Sequence, residues 1–416
     1  MKKAAIIIIG NELLTGKIAD KNTKAIAKFC FSKGIKISQS IVIGDDRLSF
    51  KNAYNYMNSL PDVETIFICG GLGPTKDDLT KEMIIELLDD QLIYREDVAQ
   101  IVKSHYEDSP YSINLVNHPY CFFPKKATPL FNSTGYAPGI YFELNTTKNF
   151  SLPGVPNELQ AMLEVSVSKY LQNSQELFEN IVVKTKGCGE SQIFTSIDPL
   201  LWNQLQEFGE VSSLPHSQGV DIGVFITAKN LSEIQKKKNE IFNIISNSPI
   251  HSYVWSFENK SIEELIIKNA FDKKLTISFA ESCTGGLCSH RLTSFSGSSQ
   301  AFWGSVIAYD NSVKTNSLNV KSESLKAYGA VSEAVAKEMA IGVKKLTNTS
   351  IGVSLTGICG PLSDSTKKPV GLVYIGLSTK KETLCYKFQL KGNRLSLKEK
   401  FSQLALFLLL DTIKEY

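Results

Sequence analysis

Eight cysteines are spread over 416 residues without one Cys-x-x-Cys pair, and no stretch of about 20 apolar residues occurs. The first absence removes the usual zinc and dithiol signatures and leads us to expect reduced thiols. The second excludes a membrane-spanning helix. Ala405-Leu406-Phe407-Leu408-Leu409-Leu410 is apolar but far too short, and reads as part of a closing helix with a buried or subunit-contacting face. Excess charge is missing as well. Lys and Arg number 45 against 42 Asp and Glu, and the formal charge of +3 gives no reason to propose a nucleic-acid surface. Internal repeats and low-complexity tracts are absent. Lys2-Lys3 leads into a short apolar run that stops at Gly10-Asn11 without a small-residue cleavage site, so the expectation is a cytoplasmic protein.

What is present is a composition of ordinary globular type on a chain too long for one core, so two or three domains are expected. The most informative segment is Glu281-Ser282-Cys283-Thr284-Gly285-Gly286. It follows the strand-like Leu275–Ala280 and opens into a helical pattern. A hydroxyl on a strand-to-helix turn is held at the edge of a rigid scaffold. Thr284, Gly285 and Gly286 would let helix N-terminal N–H groups approach an anion or a developing oxyanion. The bland alternative is an N-cap with a flexible turn.

Three further polar islands follow strands: Ala308-Tyr309-Asp310-Asn311-Ser312-Val313-Lys314, Thr356-Gly357-Ile358-Cys359-Gly360-Pro361 and Gly392-Asn393-Arg394. In an open α/β sheet such turns converge on one cleft beyond the carboxyl ends of the strands. Ser282 and Lys314 make a nucleophile–base pair, because a lysine whose pKa is lowered by burial takes a serine proton without a histidine. Thr356 and Gly357 are candidate oxyanion donors, and Arg394 is a fork for phosphate or carboxylate. Cys283 is a rival nucleophile; His290, further along the helix, reads as exposed or packing.

The N-terminal third carries a separate set of signals. Ala4–Ile9 is a continuous apolar run of the buried parallel-strand type. It ends at Gly10-Asn11-Glu12, with Asp20 and Asn22-Thr23 leading into a helix. A second strand, Glu64–Cys69, ends at Gly70-Gly71-Leu72-Gly73-Pro74-Thr75-Lys76-Asp77-Asp78. Glycines after buried strands permit close backbone approach to phosphate. Two adjacent carboxylates with threonine hydroxyls suit a hard cation such as magnesium. The alternative is a glycine turn before an acidic helix start.

The C-terminal motifs, with Ser296-Gly297-Ser298-Ser299, Gly329-Ala330-Val331-Ser332-Glu333 and Lys368-Pro369-Val370-Gly371, resemble the C-terminal domain of the CinA (competence/damage-inducible) family. That resemblance implies a nicotinamide-mononucleotide deamidase that needs no cofactor. Ser282 would be its nucleophile, Lys314 its general base, Tyr309 and Thr356 would shape the amide pocket, and Gly357, Gly360 and Arg394 would bind substrate, Arg394 at the phosphate. Leu362-Ser363-Asp364 departs from the glycines usual there. The N-terminal motifs, with Gly135-Tyr136-Ala137-Pro138-Gly139 and Leu152–Glu158, are similar to the other half of the family, which is molybdopterin-binding-like. In several members that half is an ADP-ribose pyrophosphatase dependent on a divalent metal and potassium. On that match Asp77 and Asp78 would hold the metal. Gly10, Asn11, Glu12 and Asn22 would line the cleft, and Gly70, Gly71, Gly73 and Thr75 would cradle phosphate. Asn114–Tyr120 departs from the basic or glutamine-containing pattern usual there.

The expected architecture is α/β throughout. Residues 1–172 would form a molybdopterin-binding-like three-layer domain closed by a helix from about Pro156 to Leu171. Residues 173–257 would form a small α+β linker or dimerisation module, in which His216 sits in an exposed loop. Residues 258–416 would form the α/β deamidase domain. The expected partners are small nucleotides (nicotinamide mononucleotide and ADP-ribose) and a second copy in a homodimer, with neither nucleic acid nor membrane. Two alternatives stand: the N-terminal domain binds a pterin or nucleotide without turnover, or the whole chain is a regulatory interaction protein.

Overall fold

The strand Lys3–Ile9 explains why the first domain has three layers. Every residue after Lys3 is buried, and successive side chains enter opposite cores. Ala5, Ile7 and Ile9 pack with Phe50, Tyr54 and Met57 of the helix Arg47–Ser59 and with Ile84 of the helix Thr80–Leu88. Ala4, Ile6 and Ile8 pack with Ile26 and Cys30 of the helix Asn22–Ser32 and with Leu159 and Met162 of the helix Pro156–Val165. Each fully buried isoleucine contributes roughly 1.5–3 kcal/mol, so neither face tolerates a polar residue and the run is continuous.

The computed structural model describes residues 2–75, 77–105, 115, 118–171, 177–216, 219–363 and 368–416. The chain divides into two compact units, 1–180 with 225–240 and 181–224 with 241–416. In the first, the sheet runs in the order Lys36–Ile43, Lys3–Ile9, Val63–Cys69, Thr147–Leu152, Gly139–Leu144, Thr128–Leu130. Its first four strands are parallel and the last two pairings antiparallel. Ile8 lies opposite Cys69, so the turns that begin at Gly10 and Gly70 leave the sheet side by side. The closing helix ends at Val165 and gives way to a 3₁₀ turn at Val167–Lys169, earlier than the pattern to Leu171 predicts. At the break Ser166 is buried and its hydroxyl donates to the carbonyl of Phe131 at 2.6 Å.

The stretch between the motif-bearing regions supplies the strands Leu177–Thr185, Gly209–His216, Gly219–Ala228 and Val254–Ser256 of a four-stranded sheet, with the helix Leu231–Asn247. His216 is exposed, as expected, and is the last residue of the strand Gly209–His216, where Nε2 lies 3.5 Å from Asp221 Oδ1.

The C-terminal sheet runs Phe302–Ile307, Ile277–Glu281, Ile351–Gly357, Leu372–Ser378, Thr383–Gln389. The first three strands are parallel and the remaining pairings antiparallel. One face is covered by the helices Ile262–Asp272 and Arg394–Lys414, the other by the helix Glu333–Thr347. Ala405, Leu406, Phe407, Leu409 and Leu410 are buried in this core, which accounts for the short apolar run. Glu281 pairs with both Ile307 and Leu355, and Gly357 with Val373, whose neighbour Leu372 pairs with Gln389. The turns that follow positions 281, 307, 357 and 389 therefore open at one edge. No described helix is long and apolar enough to cross a membrane.

Candidate active sites

At the C-terminal edge, Ser282 immediately follows the strand Ile277–Glu281 and is buried, its N–H donating to Leu355 O at 3.0 Å. The turn behind it depends on Gly285 and Gly286, which take φ +61° and +95°, a region that side-chain-bearing residues rarely adopt. Glu281 shapes the same turn from inside. Its fully buried carboxylate accepts from the N–H groups of Gly286, Cys288 and Ser289 at 3.0, 3.1 and 2.9 Å, and from Ser289 Oγ at 2.6 Å. The first free donors of the helix Leu287–Thr293 are thus spent on Glu281. The expectation that they meet a substrate anion is corrected: an internal anion already occupies that position. The N–H groups of Cys283 and Thr284, next to Ser282, have no hydrogen-bond partner among the described residues, and buried Thr284 Oγ1 is also unpartnered.

Lys314 lies one turn into the helix Asn311–Leu318, which Asp310 caps through Ser312 N. It is 1% exposed, whereas a lysine on a solvated helix start would point outward. Nζ stands 3.3 Å from Ser282 Oγ, 2.6 Å from Ala308 O and 3.1 Å from Tyr309 O. Burial lowers its pKa from the ordinary lysine value, against the pull of Asp310. A neutral amine has two N–H donors and one lone pair. Nζ donates to both carbonyls and lies within hydrogen-bond distance of the hydroxyl, so once deprotonated it keeps a lone pair for the serine proton.

The other islands arrive as the sheet edge requires. Arg394, first residue of its helix after the cap Asn393, donates through Nη1 to Gly360 O at 2.7 Å and through Nη2 to Tyr309 Oη at 2.9 Å. Thr356 is buried, and its hydroxyl donates to Ala330 O at 2.8 Å. It braces the 329–332 turn, so an oxyanion role for that hydroxyl would require it to break this bond. Gly357 ends its strand beside Leu372 and Val373. Cys283 is buried; a hydrogen bond with Cys359, and then burial, push its thiol well above the ordinary range. That leaves it protonated and poorly placed to compete with Ser282. His290 is exposed. Leu362 and Ser363 are exposed, and Asp364 of the departing loop lies outside the described residues. Two residues had no assigned role: Glu281 and Lys398. The Lys398 ammonium lies 3.7 Å from where a Cβ on Gly285 would project.

In the N-terminal domain a cavity of about 520 Å³ is lined by Gly10, Glu12, Gly70, Gly71, Gly73, Asp77 and Asp78, as the motifs predict. Asp45, Tyr120, Tyr136 and Glu158 join them without a role having been assigned from sequence. Gly70 has φ +111°, and a Cβ there would stand 2.3 Å from Ile9 O, so only glycine lets the two strand ends meet. Thr80 fastens the turn by donating to Gly70 O at 2.8 Å. Three predicted residues point their donors elsewhere. Thr75 donates its N–H, at 3.0 Å, and its hydroxyl, at 2.5 Å, to Asp78 Oδ2, closing its own loop. Asn22 is buried and donates to Gly154 O at 2.7 Å and Cys69 Sγ at 3.2 Å, tying two strand ends together beneath the cavity-lining glycines. Asn11 donates its N–H to Asp45 Oδ2 at 2.9 Å. Lys76, and Asn114, Val116 and Asn117 of the departing segment, lie outside the described residues. Beside the rest of that segment Lys81 is buried, with Nζ 2.6 Å from Pro119 O and 5.9 Å from the centre of the Tyr120 ring.

All the carboxylates in this cavity are hard oxygen donors, the type magnesium takes. Among the described residues no three Asp, Glu, His or Cys side chains converge closely enough to hold a metal by themselves. Asp77 and Asp78 are the adjacent carboxylates that would hold such a cation here.

Comparison with known proteins gives the class of the chain. A family model described as "CinA C-terminal domain" matches residues 259–413, and one described as "Probable molybdopterin binding domain" matches residues 5–173. A protein of Caldicellulosiruptor saccharolyticus, named as competence-damage inducible, is 34% identical over 99% of this chain and 100% of its own length. A like-named protein of Clostridium botulinum is 36% identical over 94% of this chain and 95% of its own. The crystal structure of CihA from Agrobacterium tumefaciens is 33% identical, covering 38% of this chain and 98% of its own, with a TM-score of 0.35. The chain belongs to the CinA family, with a molybdopterin-binding-like domain at its N-terminal end and a CinA C-terminal domain after it.

Proposed function

We propose that the C-terminal domain hydrolyses the carboxamide of nicotinamide mononucleotide to nicotinate mononucleotide and ammonia. The observation that carries this reading is Lys314 Nζ 3.3 Å from Ser282 Oγ with its other contacts on two carbonyls. Ser282 Oγ attacks the amide carbon as Lys314 takes its proton. The free N–H groups of Cys283 and Thr284 are the donors available to the oxyanion. Lys314 then gives the proton to the departing nitrogen, ammonia leaves, and water hydrolyses the seryl ester with Lys314 again as base. The choice of substrate rests on the family resemblance. Incubating the purified protein with nicotinamide mononucleotide and measuring ammonia and nicotinate mononucleotide tests it, with Ser282→Ala as control. Product from the wild type alone supports both reaction and nucleophile. Equal product from both removes the serine assignment, and none from either, with both folded, removes the reaction.

The N-terminal cavity supports a second activity, cleavage of ADP-ribose to AMP and ribose 5-phosphate. Glycine turns and carboxylates on one cavity of about 520 Å³ suit a diphosphate with its cation. A bound divalent metal would neutralise the diphosphate charge. The chain's own residues bring the glycine backbone of positions 70, 71 and 73 and the carboxylates of Glu12, Asp77 and Asp78 to that space. Tight nucleotide binding without AMP release would identify a binding module instead.

A further inference from the structure

Arg394 is the residue that the family resemblance assigns to the substrate phosphate, yet two of its amino groups are already engaged. Nη1 holds Gly360 O at 2.7 Å and Nη2 holds Tyr309 Oη at 2.9 Å. These bonds tie the island after the strand Phe302–Ile307 to the island after Ile351–Gly357. One helical turn further on stands Lys398. Residues at i and i+4 share a helix face, so both side chains rise toward the same edge of the sheet. Lys398 is half-buried, and makes no hydrogen bond or ion pair with any described residue. Its ammonium lies 3.7 Å from the Cβ position of Gly285, in the turn whose N–H bonds back to Ser282 O at 3.1 Å. Gly285 has a positive φ and carries no side chain to fill the space before the ammonium.

We propose that Lys398 is the phosphate anchor of the Ser282 site, and that Arg394 chiefly positions Tyr309 and the Gly360 turn around it. The proposal rests on the reading of the C-terminal domain as a mononucleotide amidase and adds the residue that selects a phosphorylated substrate. An unpaired ammonium costs less to leave in water than a guanidinium already bonded to protein costs to redirect. Lys398 therefore meets an incoming dianion without dismantling the site. Buried Glu281 beneath the same turn is fully bonded to backbone and Ser289, so it makes no competing ion pair with Lys398.

The test compares nicotinamide mononucleotide with nicotinamide riboside, the same molecule without its phosphate, on the wild type, Lys398→Met and Lys398→Arg. Removing a charge-assisted contact to phosphate should raise KM for the mononucleotide roughly 10- to 100-fold, leave kcat within about threefold, and leave the riboside unaffected. Lys398→Arg should recover most of the loss. Equal loss on both substrates, or no change on either, overturns the anchor. Calorimetric titration of the mononucleotide into Ser282→Ala and Ser282→Ala/Lys398→Met gives the same answer without turnover. A loss of mononucleotide affinity there that the riboside does not share, with no ammonia released by the wild type, upholds the anchor while the amidase reading fails. Ammonia release with unaltered mononucleotide affinity does the reverse.

Discussion

Lys314 Nζ approaches Ser282 Oγ to 3.3 Å while giving its remaining hydrogen bonds to the carbonyls of Ala308 and Tyr309. A lysine paired with a carboxylate would be held charged. One that meets only carbonyls and a hydroxyl in a buried site pays desolvation for its charge and is held toward the amine. On the proposed mechanism the base is thus set by what surrounds Lys314.

This arrangement fixes a pH dependence. Burial lowers the Lys314 pKa, so the active amine fraction rises with pH and levels off below the ordinary lysine pKa of about 10.4. Ammonia release at saturating substrate should follow that rising limb. Lys314→Ala should lose roughly 10²- to 10⁴-fold in kcat, and Lys314→Arg should be inactive at every pH because a guanidinium does not deprotonate. A rising limb unchanged in Lys314→Ala would assign it to another group. The same shift bears on stability. The unfolded chain binds the extra proton between the lowered and the ordinary pKa, so unfolding free energy should rise with pH across that window.

Glu281 is expected to matter for the fold of the turn. It is fully buried and satisfies three backbone N–H groups and one hydroxyl at the start of the helix Leu287–Thr293. Glu281→Ala leaves four donors without a partner, and should cost roughly 3 kcal/mol or more in denaturant unfolding. Glu281→Gln keeps the shape while placing a donor amide where acceptors are needed, and should fall between. A loss below about 1 kcal/mol for Glu281→Ala would show that water replaces the carboxylate.

Much of this was legible from sequence because it rests on short-range patterns. The apolar run Ala4–Ile9, the glycine turns after two parallel strands and the hydroxyl at position 282 each announce themselves within ten residues. What was hidden depends on how the chain folds back. Glu281 reads as an ordinary polar residue until the helix after it returns its N–H groups to it. Lys398 gains meaning only when the register of its helix places it above Gly285. Asn22 and Thr75 have the right chemistry for a phosphate site, but their donors are closer to Gly154, Cys69 and Asp78 than to open space. Lys81, given no role from sequence, is buried with its ammonium on Pro119 O.

Cys283 separates two nucleophile assignments. Its thiol is buried and held protonated by Cys359 and by burial, and its side chain belongs to the apolar core with Cys288 and Cys359. Cys283→Ala should retain kcat within about threefold and lose roughly 1–2 kcal/mol of stability from the shrunken core. Loss of all ammonia release in a folded Cys283→Ala, with release preserved in Ser282→Ala, would transfer the nucleophile to the thiol.

The two domains should respond separately at Asp78. In the N-terminal cavity this carboxylate closes the loop through Thr75 and faces the space between the glycine turns. Asp78→Ala removes both the loop closure and one of the two carboxylates proposed to share a cation. AMP release from ADP-ribose should therefore fall by at least about 10²-fold. Asp78→Asn keeps an acceptor for Thr75 but lacks the charge. If the loop contact alone matters it should restore AMP release, and if the charge matters it should remain inactive even at raised magnesium. Ammonia release from nicotinamide mononucleotide should be unchanged in both variants, because the partners of Ser282 and Lys314 among the described residues lie in the C-terminal domain. Parallel loss of both activities in a folded Asp78→Asn protein would contradict separate sites.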